Sequence, residues 1–201
     1  SNRESDHRLL NVYRSTDGGQ NWEPRSAVAP CPCSEDLLAC YGWYANVIAV
    51  APHDPNLVFA AGERWFRSED GGATWSAISS RGAGTPAPIT GAAGQHVLAF
   101  HPAWNGGDNQ TLIVGNDSGI YRTVNALGAP WDSDLSTKVA WESLNHGYIT
   151  AQFYHGRPFP APDSVYLGGC QDTGTLMGSD ARGIDLWTVL LRGDGGYVSY
   201  D

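Results

Sequence analysis

Tyr13-Arg14-Ser15-Thr16-Asp17-Gly18-Gly19-Gln20-Asn21-Trp22 recurs as Phe66-Arg67-Ser68-Glu69-Asp70-Gly71-Gly72-Ala73-Thr74-Trp75, 53 residues further on. Both copies read aromatic-Arg-Ser, a variable residue, Asp-Gly-Gly, two more residues and Trp. Each position has a physical use. A strand ends at Arg-Ser, and the short Asp side chain accepts hydrogen bonds from backbone N–H groups of its own turn. The two glycines supply the left-handed backbone that closes the hairpin. Trp opens the next strand and folds back over the turn as a large apolar lid. Ser15, Asp17, Gly19 and Trp22, with Ser68, Asp70, Gly72 and Trp75, are therefore read as structural. A carboxylate consumed by its own turn is poorly suited to catalysis or metal binding.

A four-strand unit extends outward from these turns. Asn46–Ala51, Leu57–Ala61, Arg64–Ser68 and Trp75–Ser79 form one such unit. His96–His101, Thr111–Gly115, Gly119–Thr123 and Val139–Leu144 form a second, whose turn has decayed and carries an insertion before Trp141. Thr150–Tyr154, Ser164–Gly168, Thr175–Gly178 and Trp187–Leu190 form a third. Trp22, Trp75, Trp141 and Trp187 stand 53, 66 and 46 residues apart, close to the ~40–50 residues of a propeller blade. The expectation is an all-β chain, a β-propeller of four-stranded antiparallel blades. Residues 1–201 form a single propeller segment with blade boundaries near 46, 96 and 148, and loop insertions at 27–45 and 124–138. A half blade at Leu9–Ser15 precedes the full units, and Tyr197–Tyr200 reads as the first strand of another. Closed propellers take about 4–8 blades, so the pattern describes a partial ring, completed by missing sequence or another chain.

The S-x-D-x-G-x-[TN]-W pattern, filled twice, strongly resembles the Asp-box or BNR repeat family. That family includes sialidases, sortilin-type receptor domains, photosystem assembly factors and xyloglucanase-type glycoside hydrolases, and its boxes are structural. Leu144–Tyr154 and Gly168–Thr175 look similar to exported bacterial BNR-repeat proteins labelled glycosyl hydrolase by homology. The resemblance implies a secreted, periplasmic or cell-surface protein.

Composition narrows the partners. Charged residues make up 16% of the chain while Gly numbers 25, Trp 8 and Tyr 9, the reverse of a disordered composition. The net charge is −9, and Lys138 is the single lysine. An acidic surface disfavours nucleic acid and anionic membrane, which need clustered positive charge. No apolar run reaches the ~18 residues of a membrane span. Cys31, Cys33 and Cys40 lie close together, and Cys170 stands apart. A local disulfide from Cys40 to Cys31 or Cys33 is the favoured reading; a zinc site lacks a fourth ligand at suitable spacing. No cofactor or metal is expected.

The order of hairpins places the boxes at one end of the strands. The two-to-three turns and blade connections fall at the other. There, Gly115-Asn116-Asp117-Ser118-Gly119, Gly169-Cys170-Gln171-Asp172-Thr173-Gly174 and Gly193-Asp194-Gly195-Gly196 bring Asp117, Asp172 and Asp194 toward the rim of a channel. His146, Tyr148 and Gln152 join them, with Asn116 and Gln171 as further binding candidates. Turn chemistry explains Asp and Gly equally well. Xyloglucanase-type enzymes resemble this segment in placing catalytic aspartates in D-x-G-G turns, and Asp194-Gly195-Gly196 matches best. Hydrolysis needs two carboxyls about 5–5.5 Å or about 6.5–9.5 Å apart. A sialidase-like activity is less supported, because no arginine here sits in the characteristic motif. Trp43, Tyr44, Trp104 and Tyr148 are aromatics that stack on sugars or serve as core. Two functions follow: a scaffold that binds a carbohydrate or protein through the box-free face, or a glycoside hydrolase using the rim carboxylates.

Overall fold

A computed structural model describes residues 6–25, 36–80, 94–130, 138–147, 151–159, 164–183 and 186–199. The described residues are all-β apart from one three-residue 3-10 turn, Asp180–Arg182. The chain divides into two compact units, Ser1–His146 and Gly147–Asp201.

In the first unit, β1 (Tyr13–Arg14) and β2 (Glu23–Pro24) form a two-stranded hairpin. β3 (Val47–Ala51), β4 (Asp54–Ala61), β5 (Trp65–Ser68) and β6 (Ser76–Ala77) form an antiparallel sheet in sequence order. β7 (Gln95–Phe100), β8 (Leu112–Asn116), β9 (Gly119–Thr123) and β10 (Glu142–Ser143) form a second such sheet. The other unit holds one sheet of the same design, β11 (Phe153–Pro158), β12 (Val165–Cys170), β13 (Gly174–Ser179) and β14 (Thr188–Leu191). All three four-strand units read from the sequence are therefore present, none of them closed on itself. Of Tyr197–Tyr200, read as a further strand, the described residues 197–199 join no sheet. The Tyr197 ring instead stacks on His155 of β11, centroids 3.8 Å apart.

The core of the first unit lies between its two four-stranded sheets. Register explains which residues meet. Val47 pairs with Ala61 and Ala49 with Phe59, so these share one face. On β7 and β8, Leu98 pairs with Val114 and Phe100 with Leu112. Phe59, Ala61, Trp65, Leu112, Val114 and Tyr121 are buried together there, and Phe59, Phe100 and Trp104 meet edge to face at 5.0–6.1 Å. Trp104 is thus a core residue, not a surface platform. Each large apolar side chain buried in this way contributes about 1.5–3 kcal/mol.

The two repeated turns are built alike. Ser15 donates to the Asp17 carboxylate (2.8 Å) and accepts from the Gly19 N–H (2.8 Å). Asp17 in turn accepts from the N–H and side-chain amide of Asn21, and the Trp22 indole donates to the Gly19 carbonyl. Ser68, Asp70, Gly72, Thr74 and Trp75 repeat every one of these bonds, with the Thr74 hydroxyl in place of the Asn21 amide. The turn read as decayed is a third copy in different letters. Thr123 donates to Asn125 Oδ1 (3.0 Å), which accepts from the N–H of Ala140, the residue before Trp141. Asn125 Nδ2 also holds the Lys138 carbonyl at 2.8 Å. The insertion leaves and re-enters the turn across these bonds.

Arginines tie neighbouring elements together. Arg67 passes from β5 to the Ala126 and Gly128 carbonyls, both 2.8 Å away, just beyond the third turn. Arg14, at the same place in the first copy, reaches Asn56 of β4 at 3.1 Å. Arg25 adds bonds to the Asp70 and Gly71 carbonyls.

The turn carboxyls set an acid limit on this unit. The Asn21 N–H, then the Asn21 amide and the Ser15 hydroxyl, bring Asp17 down to about 2. The Thr74 hydroxyl, then its N–H and the Ser68 hydroxyl, lower Asp70 further. A depressed carboxyl stabilises the fold fully above its unfolded value near ~3.9, and the effect is lost as pH falls through the folded value. We predict a melting temperature that declines from about pH 5 to about pH 2, with a shallower decline in Asp70→Asn, whose side chain keeps the acceptor as Asn125 does. An Asp70→Asn curve parallel to the wild type would contradict this.

Candidate functional site

The segment between hairpin and first sheet delivers two aromatics to the surface. Buried Asp36 accepts from the backbone N–H groups of Leu9 and Leu38, and Cys40 is disulfide-bonded. Its partner, like Cys31 and Cys33 themselves, lies outside the described residues. Cys170 is a buried free thiol. Tight turns follow, with Tyr41 N–H donating to Leu38 and Tyr44 and Ala45 N–H donating to Tyr41. A side chain on Gly62 would come within 2.5 Å of Leu38 Cα, so glycine lets the segment lie directly on the sheet. Trp43 is left 66% exposed and Tyr44 46%.

Tyr44 meets Asp117, in the β8–β9 turn, and His96, at the start of β7. Asp117 Oδ1 accepts from the Tyr44 hydroxyl at 2.6 Å and from His96 Nε2 at 2.6 Å. Oδ2 accepts from the Gly94 N–H at 2.7 Å, and the Asp117 N–H returns a bond to the Gly94 carbonyl. Burial raises the carboxyl's pKa, but the bonds from Tyr44, His96 and Gly94, with the charge attraction of His96, outweigh it and leave it below the usual range. Because an ionised carboxylate only accepts, His96 Nε2 must carry the proton toward it. Ring contacts extend the cluster, at 4.8 Å from His96 to Tyr44, 5.4 Å on to Trp43 and 6.4 Å on to His7.

This cluster stands at the strand ends away from the Asp70 turn. Asp117 lies in a two-to-three turn, and Tyr44 and His96 lie at the entrances of first strands, whereas Asp70 joins a third strand to a fourth. A bulge aims His96. Gln95 pairs with Asn116 and Val97 with Gly115, leaving His96 as the extra residue whose side chain reaches Asp117.

The other expected residues are placed as follows. Asn116 accepts from the Ser118 N–H at 2.8 Å and donates toward Gln95. His146 is exposed at the end of the first unit. Tyr148 lies outside the described residues. In the second unit, Asp194 Oδ1 accepts from the Asp172 N–H at 2.8 Å, so Asp194 caps the turn that holds Asp172. The Thr173 hydroxyl donates to the Gln171 carbonyl at 3.0 Å within the same turn, and the backbone is closely packed there. Side chains on Gly169, Gly174 or Gly195 would come within 2.3 Å of carbonyl oxygens, and the Gly195 N–H donates to Cys170 at 2.7 Å. The Asp194-Gly195-Gly196 sequence therefore has a sufficient structural explanation. Gln152 is exposed, its carbonyl taking the Gln171 N–H at 3.0 Å, and Gln171 is half-buried. Among the described residues, no group of three or more His, Cys, Asp or Glu is placed to hold a metal ion, and no helix is long and apolar enough to cross a membrane.

Sequence reasoning named Asp117, Tyr44 and Trp43 separately but not their meeting, and it missed His96 and Gly94. Tyr44 and Asp117 are 73 residues apart, beyond the reach of any spacing argument. No protein-family model matches this chain, and no curated protein sequence matches it significantly.

Removing one donor tests the charge state of the cluster. In Tyr44→Phe, the Asp117 carboxyl pKa moves upward, read from its carbon-13 titration by NMR. An unmoved titration would contradict the hydrogen bond as a cause.

Proposed function

We propose that this chain is a segment of an exported Asp-box propeller and acts as a binding scaffold through the face opposite the boxes. The ligand, a carbohydrate or protein, meets the Trp43–Tyr44–His96–Asp117 cluster. The observation that carries the reading is this exposed aromatic pair, held in place by an ionised carboxylate at the end of the sheets where the boxes are not. Exposed aromatic faces beside fixed polar groups suit a sugar ring, which presents apolar faces and hydroxyl edges.

A comparison between repeats supports the partial ring. Asn46–Pro52 aligns with His96–Pro102, fifty residues on, setting Ile48 against Leu98 and Val50 against Phe100. Leu98 and Phe100 pack against the core between the sheets. Ile48 and Val50 are each 55% exposed. Beside them a cleft of about 400 Å³ is lined by Leu9, Val12, Tyr13, Trp22, Ile48 and Ala60, among others. Among the described residues the β1–β2 hairpin has two strands where each other sheet has four, and two further inner strands fit this position.

Hydrolysis is the weaker reading. Hydrolysis needs a protonated general acid beside an ionised carboxylate; Asp117, held ionised, suits only the second role, and Asp194 is spent on capping a turn. To test binding, the full chain is titrated calorimetrically with gluco-, xylogluco- and sialo-oligosaccharides. We expect affinity for one of these classes and about tenfold weaker affinity in Trp43→Ala, the equivalent of one lost stacking contact of about 1–1.5 kcal/mol. Unchanged affinity in Trp43→Ala would refute the placement of the site.

A further inference from the structure

Behind the Asp117 cluster lies a side chain that neither the turn chemistry nor the aromatic platform accounts for. Gln95 is 1% exposed, one of the largest fully buried side chains and the only charged or amide group among them. Its amide oxygen accepts from the Trp65 indole N–H at 2.8 Å, in the core between the sheets, and from Asn116 Nδ2 at 3.3 Å. Its amide nitrogen donates to the Glu63 carbonyl at 3.2 Å, and its backbone N–H to the Gly62 carbonyl at 2.9 Å. The side chain and backbone thus bridge the β4–β5 turn of one sheet and the β8–β9 turn of the next.

Gln95 also stands between the residues that grip Asp117. Gly94 before it donates to Oδ2, and His96 after it donates to Oδ1. Asn116, which Gln95 holds, fixes the same turn from the other side through the Ser118 N–H. The bulge that turns His96 outward starts at the Gln95–Asn116 pair. We propose that Gln95 is the positioning residue of the binding site: it fixes the bulge and the Asp117 turn against the core, so that His96 and Asp117 hold Tyr44, and with it Trp43, in place for a ligand. The inference rests on the binding reading of this cluster. Only a primary amide does all of this at one length, accepting through its oxygen while donating through its nitrogen. A buried carboxylate would lack the donor, and an apolar residue would lack both functions and strand the Trp65 indole without a partner.

The test uses the full chain labelled with nitrogen-15, with the His96 tautomer read from its ring nitrogen signals. In buffer alkaline enough to keep the imidazole neutral, the wild type shows the Nε2–H form. Gln95→Met moves His96 to a mixture of tautomers and weakens ligand affinity tenfold or more. Phe59→Leu, a core change at a side chain that makes no hydrogen bond to any of these groups, lowers the melting temperature while leaving the tautomer alone. If Gln95→Met fails to fold, Asn116→Ala cuts the same link from the half-exposed side and gives the same tautomer mixture. A Gln95 or Asn116 variant that keeps the wild-type Nε2–H signal overturns the positioning role. That readout needs no ligand, so it is separate from a wild type that binds no oligosaccharide, which overturns the binding reading.

Discussion

The rest of the first unit depends on one short-range interaction. A side-chain oxygen, two residues after a hydroxyl, accepts the N–H of the residue before a tryptophan. Asp17, Asp70 and Asn125 all do this, toward Asn21, Thr74 and Ala140. The bond fixes where the third strand stops and where the fourth begins. It sets the tryptophan at the turn and settles which strand face carries each apolar residue, since a slip of one position would reverse every side chain. The third copy shows what the interaction requires: an acceptor at the right distance, not a negative charge.

With the turns fixed, the sheets have matching faces. Phe59 and Ala61 meet Leu112 and Val114, and Arg67 lies along the same boundary. Its guanidinium is nearly fully buried and is partnered by the Ala126 and Gly128 carbonyls and Glu69. Carbonyls at Nη1 and a carboxylate at Nη2 replace most of the water of this buried cation, while its buried Nε has no hydrogen-bond partner among the described residues. Its place beside the turn means that the hairpin and the packing of the next sheet are specified by adjacent residues.

Local chemistry was legible in the sequence; contact across elements was not. Asp17 and Asp70 announce themselves because all their partners lie within four residues. Strand order followed from the repeated units, and all three four-strand sheets are found. Asn125 was hidden by an amide in place of a carboxyl and by the insertion before Trp141. His96 and Gly94, and the meeting of Tyr44 with Asp117, were hidden for another reason. They approach Asp117 only after two sheets have packed and a bulge has displaced one residue, and neither event leaves a spacing signature. Trp104 was left open between surface and core because an aromatic near a loop looks the same in sequence whether it packs inward or faces solvent, and the structure places it in the core. Asp194 carried a motif that a capped, glycine-dependent turn explains without chemistry.

The two ends of the sheets have different roles in this account. At one end the carboxylates are spent on their own turns. At the other a carboxylate is spent on holding an aromatic pair in an exposed position. The central claim is that the second end meets the ligand. Chemical-shift mapping of the nitrogen-15-labelled full chain during titration with the oligosaccharide it binds tests this most directly. Shifts concentrated at Trp43, Tyr44, Gly94, His96 and Asp117, with the Asn21 and Thr74 amides unmoved, are the result predicted. Shifts centred on the Asp17 and Asp70 turns, with the Tyr44–Asp117 cluster unmoved, would contradict it.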